Sequence, residues 1–144
     1  MDNIVYSYNI QAHRLDIIAE NVRDTSFVVM KKQNCFAWSS DLQKGYGESI
    51  IVYNLETDAK TELKSPGRGE YIRLLGTIDS NVVYGYVHKN QIKVKKDGTT
   101  ILPCYKMEIA DREGKVLKSY ERKNVFISDI NVNGNVLTME RCKK

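Results

Sequence analysis

The chain has 144 residues, 42% of them hydrophobic and 28% charged, with a net charge of +4. Those proportions suit one globular domain and exclude a disordered chain, a collagen-like fibre and a coiled coil. Thirteen Ile, thirteen Val and nine Tyr stand against five Ala. Branched and aromatic side chains fit a pleated surface while Ala favours helix, so an all-β protein is expected.

Alternation of apolar and polar residues divides the chain into about a dozen short strands separated by turn residues. Ile4–Ile10 turns at Gln11-Ala12-His13 and returns through Arg14–Ala19. Phe27–Lys31 turns at Gln33-Asn34 into Cys35–Ser39, and the loop Asp41–Glu48 has room for a short helix at most. Ser49–Leu55 returns as Lys60–Lys64, and Ser65-Pro66-Gly67-Arg68-Gly69 breaks the pattern. Tyr71–Ile78 turns at Asp79-Ser80-Asn81 into Val82–His88. A small inserted hairpin, Gln91–Val94 with Thr100–Leu102, precedes Tyr105–Ala110 and Lys115–Glu121. Val125–Val132 pairs with Asn135–Glu140 across Asn133-Gly134, a dipeptide that accepts the positive φ of a tight hairpin turn.

Three segments share a plan: an aromatic-containing strand, an Asn/Asp turn and a return strand. Their tyrosines Tyr6, Tyr53 and Tyr105 are spaced by 47 and 52 residues. A period near fifty with four strands per unit is that of a β-propeller blade. The expected division is a half blade over 1–20, blades over 25–64 and 70–121, and a half blade over 124–144, within a single domain. An antiparallel, partial propeller of about three blades is therefore expected, with a β-sandwich as the alternative. Ser49–Leu63, whose strand runs through Tyr53-Asn54-Leu55 into the turn Glu56-Thr57-Asp58-Ala59-Lys60, resembles the outer hairpin of bacterial TolB-like propeller repeats. The turn Asp111-Arg112-Glu113-Gly114-Lys115 follows the same logic. The resemblance implies a propeller fold and carries no shared catalytic residues.

Three blades are fewer than the usual four to eight. Either the chain is part of a longer propeller, or two copies join head to tail as a homodimer that completes a six-bladed ring. The compartment stays open: extracytoplasmic if the chain is cut from a longer protein, cytoplasmic otherwise.

No nucleophile elbow, zinc-protease helix or phosphate-binding loop occurs, so no catalytic residue, metal ligand or cofactor is assigned. Cys35, Cys104 and Cys142 are isolated and suit small buried hydrophobes better than a disulfide framework or a zinc site. The basic clusters Lys93, Lys95, Lys96 and Arg141, Lys143, Lys144 are small, and the first alternates with Ile92 and Val94 as a wet strand face. No nucleic-acid partner is expected. No run approaches the roughly 18 apolar residues of a membrane span.

Ligand-binding candidates are Tyr71, Arg73, Tyr84, Tyr86 and His88. The last three share a strand face at period two, either as a ligand-facing cluster or as a cross-strand packing row. With Thr77, Ser128 and Asp129, Tyr71 and Arg73 would line a funnel if successive innermost strands converge. Trp38 and Phe36 share a face and suit core packing. The leading expectation is a non-enzymatic interaction module that presents loops to a protein or glycan partner. The alternative is a fragment of a propeller enzyme or small-ligand sensor whose site lies in a longer chain.

Overall fold

A computed structural model describes residues 3–143; Met1, Asp2 and Lys144, the ends of the first and last expected units, lie outside the described residues. Strand accounts for 64% of the chain and helix for 6%, so the all-β, antiparallel expectation holds. Four layers follow one another along the chain. The first is a hairpin of β1 (Asn3–Asn9) and β2 (Arg14–Val22). The second is the meander β3 (Phe27–Met30), β4 (Cys35–Ser39), β6 (Ser49–Asn54) and β7 (Lys60–Lys64). The third pairs β8 (Glu70–Ile78), β9 (Asn81–His88), β12 (Cys104–Ala110) and β13 (Val116–Glu121) in the same order. The fourth is the hairpin β14 (Val125–Asn133) and β15 (Val136–Lys143), joined to β12 through Cys104 opposite Ile127. A short insert, β10 (Lys93–Val94) with β11 (Thr100–Ile101), stands apart. The sheets stay open, and no closed barrel or ring forms among the described residues.

Two cores hold the layers together. Period two sends Met30, Cys35, Ala37, Ile50 and Val52 of the second layer against Ile72, Leu74, Val82, Tyr84 and Ala110 of the third. The other face of the third layer buries Val83, Val87, Cys104 and Met107 with Ile127, and Ile130, Leu137 and Met139 of the fourth layer pack onto them. Burying a side chain of this size contributes roughly 1.5–3 kcal/mol, so each interface is a substantial apolar seam. The first hairpin is different. Ile4, Tyr6, Tyr8, Leu15 and Ile17 are all 46–59% exposed.

Three local features depart from the expected pattern. Tyr46–Gly47, inside the loop expected to hold a helix at most, forms a two-residue strand, β5, on the edge of β8. Its Tyr46 ring rests against Tyr71 at 5.4 Å. The last hairpin turns at Gly134-Asn135, with Gly134 at φ 61° and Asn133 still paired in the strand. The turn with two positive φ values is Asp79-Ser80, at 45° and 61°.

The repeat also falls in a different phase. Asn9 Oδ1 accepts from Ala12 N at 3.0 Å, Asn54 Oδ1 from Glu56 N at 2.9 Å, and Asp111 Oδ1 from Glu113 N at 3.0 Å. These side chains mimic a backbone turn and fix the end of each strand. The Tyr8 hydroxyl lies 3.4 Å from His13 Nδ1, and the Tyr53 hydroxyl donates to Asp58 Oδ1, both across five residues. His13 and Asp58 share a positive φ, 49° and 57°. Tyr8, not Tyr6, is therefore the counterpart of Tyr53, and Ala110 rather than Tyr105 takes that place in the third copy. The β10–β11 insert lengthens the later spacing.

Candidate functional site

The five ligand-binding candidates lie on one sheet but on its two faces. An unbroken ladder running back from the Asp79-Ser80 turn would set Tyr71 opposite His88 and Arg73 opposite Tyr86. A bulge between Leu74 and Gly76 shifts β8 by one residue, so Tyr71 opposes Val87 and Arg73 opposes Gly85. A one-residue slip sends every later side chain to the other face. Tyr84, Tyr86 and His88 face the second layer, whereas Tyr71 and Arg73 face away from it.

On the first of these faces the row is continuous. Tyr84 meets Tyr86 edge-on at 5.8 Å, and Tyr86 lies 6.3 Å from Tyr105. Tyr105 stacks on His88 at 4.2 Å. Glu70 ends the row: its Oε1 accepts from the Tyr105 hydroxyl and lies 3.5 Å from His88 Nδ1. Glu108, only 8% exposed, sits opposite Tyr84 in the ladder, with Lys106 Nζ 3.9 Å away. Burial pushes the Tyr84 hydroxyl up to about 12, helped by the Glu108 charge. Burial also raises Tyr86, helped by the Glu108 carboxylate as hydrogen-bond partner, and raises Tyr105, helped by its hydrogen bond to Glu70. All three remain neutral donors at neutral pH. Tyr84 is fully buried, so the row runs from the core to a surface end at His88.

On the other face the two candidates are engaged structurally. Arg73 Nη1 donates to Leu102 O at 2.9 Å and Ser128 O at 2.8 Å, tying β8 to the approach to β12 and to β14. Tyr71 is covered by Tyr46 and by Lys89, whose Nζ lies 4.4 Å from the ring centroid. Ser128 Oγ donates to Glu140 O at 3.2 Å, and Asp129 is exposed and accepts from its neighbour Ile130 N. Arg73 and Ser128 therefore meet through a backbone carbonyl rather than in a funnel of free side chains, and half-buried Thr77 is not among the residues that Arg73 bonds.

The larger opening lies elsewhere. A solvent-open cleft of about 890 Å³ separates the β1–β2 hairpin from β4 and β6. Trp38 and Tyr53 form its floor, with their ring centroids 6.1 Å apart. Three turns supply its mouth: Ile10 and Gln11 from the first hairpin, Asn34 from β3–β4, and Glu56 and Asp58 from β6–β7. The polar rim is already ordered. Asn34 Nδ2 donates to Glu56 Oε1 at 2.9 Å, Arg14 Nε pairs with Asp16 at 2.8 Å, and Asp58 holds Tyr53. None of these lining residues was singled out for binding from the sequence, because the cleft joins positions far apart in the chain. Trp38, the sole tryptophan, is expected in core packing with Phe36; alternation instead gives the core face to Cys35 and Ala37, and Trp38 and Tyr53 end on the opposite face.

Compared with protein-family models, curated proteins and solved structures, the chain matches none. Cys35 and Cys104 are fully buried and their thiols are pushed up by burial, Cys104 to about 11, so neither is a ready thiolate nucleophile. Among the described residues no cluster of His, Cys, Asp or Glu is placed to hold a metal, and no helix is long and apolar enough to cross a membrane.

Proposed function

We propose that the protein is a non-enzymatic, propeller-like binding module that holds a neutral oligosaccharide in the cleft between β1–β2 and β4–β6. Two four-stranded meanders in one strand order, with β8 packed against both β3 and β14, support the propeller-like reading. So does the resemblance of Ser49–Leu63 to TolB-like outer hairpins. The observation that carries the ligand class is an aromatic floor, Trp38 and Tyr53, ringed by amide and charged groups of both signs. The C–H face of a sugar ring packs on an aromatic face, and its hydroxyls take up donors and acceptors around the edge. Arg14 and Lys60 offset part of the charge of Asp16, Glu56 and Asp58, which favours a neutral ligand.

Trp38 is a built-in reporter. A panel of soluble oligosaccharides titrated against the protein is expected to shift Trp38 emission, and Tyr53→Ala or Asp58→Ala to weaken the response at least tenfold. Emission unchanged across the panel, together with unmoved amide resonances at Asn34 and Asp58, would remove this reading. A second surface favours a protein partner: the exposed apolar side chains Ile4, Tyr6 and Leu15 of the first hairpin, continued by Tyr8 and Ile17 where the hairpin borders the cleft. Contiguous exposed apolar area of this kind marks an interaction site.

A further inference from the structure

We propose that the occupant of that apolar hairpin face is a second copy of the chain, whose β15 edge pairs with β1. The inference rests on reading the face as an interaction surface. Four observations converge on it.

The first is the state of the edges. Among the described residues β1 pairs only with β2, and β15 only with β14. A long strand with a free edge and an apolar face is a template for another strand. The second is which halves are present. The β1–β2 hairpin carries the same turn devices as β6–β7, the outer pair of its meander: the Asn9 and Asn54 turns, and the Tyr8–His13 and Tyr53–Asp58 contacts. The β14 strand packs on β8, the first strand of the third layer, and so begins an inner pair. One end of the chain thus offers strands three and four of a sheet, and the other end offers strands one and two. The chain's own β1–β2 is seated across the cleft from β4 and β6, at the opposite end of the layer stack from β14–β15.

The third observation is register. In the complete meanders the first residue of the second strand lies at the turn residue of the third. Cys35 opposes Asn54, and Val82 opposite Ala110 sets Asn81 beside Asp111. Applied to β15 and the partner's β1, this rule puts Val136 opposite Asn9 and Cys142 opposite Asn3. All seven residues of β1 then find a partner on the eight-residue β15. The fourth is the match of faces. This register sets Tyr8 beside Leu137 and Tyr6 beside Met139. Leu137 and Met139 already pack on the core around Met107 and Ile127. Tyr6, Tyr8, Leu15 and Ile17 would extend that apolar face outward toward Tyr120 on β13. Shifted by one residue, the pairing would set these four over the polar row of Asn131, Thr138 and Glu140 instead. The contact is heterologous, and two copies close it into a ring of six sheets, within the four to eight of known propellers.

The test is a cross-link written by the register. Asn3→Cys, in the full chain under mild oxidation, is expected to bond to the partner's Cys142 and move most of the protein to twice the chain mass on a non-reducing gel. Cys35 and Cys104 are buried and do not compete. Asn3→Cys with Cys142→Ser, and Gln11→Cys with Cys142 intact, are expected to lose that band. A ladder of higher masses would overturn closure by two copies, and a chain left at the monomer mass would overturn the pairing itself. Binding of a hydrophobic dye separates the two levels of the argument. If no cross-link forms but dye binds and is lost in Leu15→Lys/Ile17→Lys, the second copy is wrong and the interaction face stands. If no cross-link forms and dye does not bind either, both fail.

Discussion

Arg73 gives the sharpest test of how the layers are held. Its guanidinium donates to two carbonyls, Leu102 O and Ser128 O, while the one other side-chain bond from β8 toward β12 among the described residues is that of Glu70 with Tyr105. Arg73→Met keeps the apolar stem and removes both bonds. A hydrogen bond from a charged donor contributes about 1.5 kcal/mol at the low end, which suits a half-buried group, so the pair amounts to about 3 kcal/mol. An unfolding entropy of roughly 2 cal/mol/K per residue over this chain gives about 0.3 kcal/mol/K, and the melting temperature should fall by about 10 °C. Arg73→Lys keeps the charge on a shorter side chain without the planar guanidinium and should lose about half as much. Urea unfolding measures the loss, and hydrogen exchange should place the weakened protection in β14 and β15 rather than β4 or β6. A loss under about 1 kcal/mol, or exchange that rises uniformly, would show that Arg73 is not the clamp and would return it to the ligand-binding candidates.

Other outcomes follow from the same packing. A Cβ at Gly85 would stand 2.6 Å from Cys104 Sγ and 2.8 Å from its Cβ. Gly85→Ala should therefore cost about 2 kcal/mol, and Cys104→Gly in that background should recover part of it, a coupling readable by a double-mutant cycle in urea. Independent effects that simply add would contradict the contact. The Cys104 thiol has a pKa raised from 9.0 to about 11. Between those values the unfolded chain is ionised while the folded chain keeps its proton, so stability is intact below pH 9 and falls as pH rises toward 11, by at most about 3 kcal/mol. Cys104→Ala should flatten that part of the alkaline slope. Native-state thiol labelling should modify exposed Cys142 at once and Cys35 and Cys104 only on unfolding; rapid labelling of all three would contradict the burial.

Much of the strand layout was legible because alternation is a direct record of burial. Cys35–Ser39 and Lys60–Lys64 form strands at the positions their sequence indicates, since apolar and polar residues alternate there against turn residues on both sides. Tyr46–Gly47 leaves no mark in the sequence because two residues carry no period, and the strand exists only because β8 offers it an edge. The candidate set Tyr71, Arg73, Tyr84, Tyr86 and His88 shows where counting stops. Parity within one strand is reliable, which is why Tyr84, Tyr86 and His88 stay together. Parity between strands depends on the Leu75 bulge, and nothing in Leu74-Leu75-Gly76 announces it beyond the glycine. Glu70, Tyr105 and Glu108 enter the row through cross-strand register for the same reason. The cleft is harder still, since Arg14 and Asp16 meet Trp38 and Tyr53 only through the packing of whole layers.

If the first hairpin is half of a sheet that a second copy completes, the protein is a dimer in solution. Light scattering coupled to size exclusion, over a range of protein concentrations, measures this directly. The predicted result is twice the 16.5 kDa mass of one chain, falling to that mass in Leu15→Lys/Ile17→Lys. A mass of 16.5 kDa for the unsubstituted chain at every concentration would contradict it.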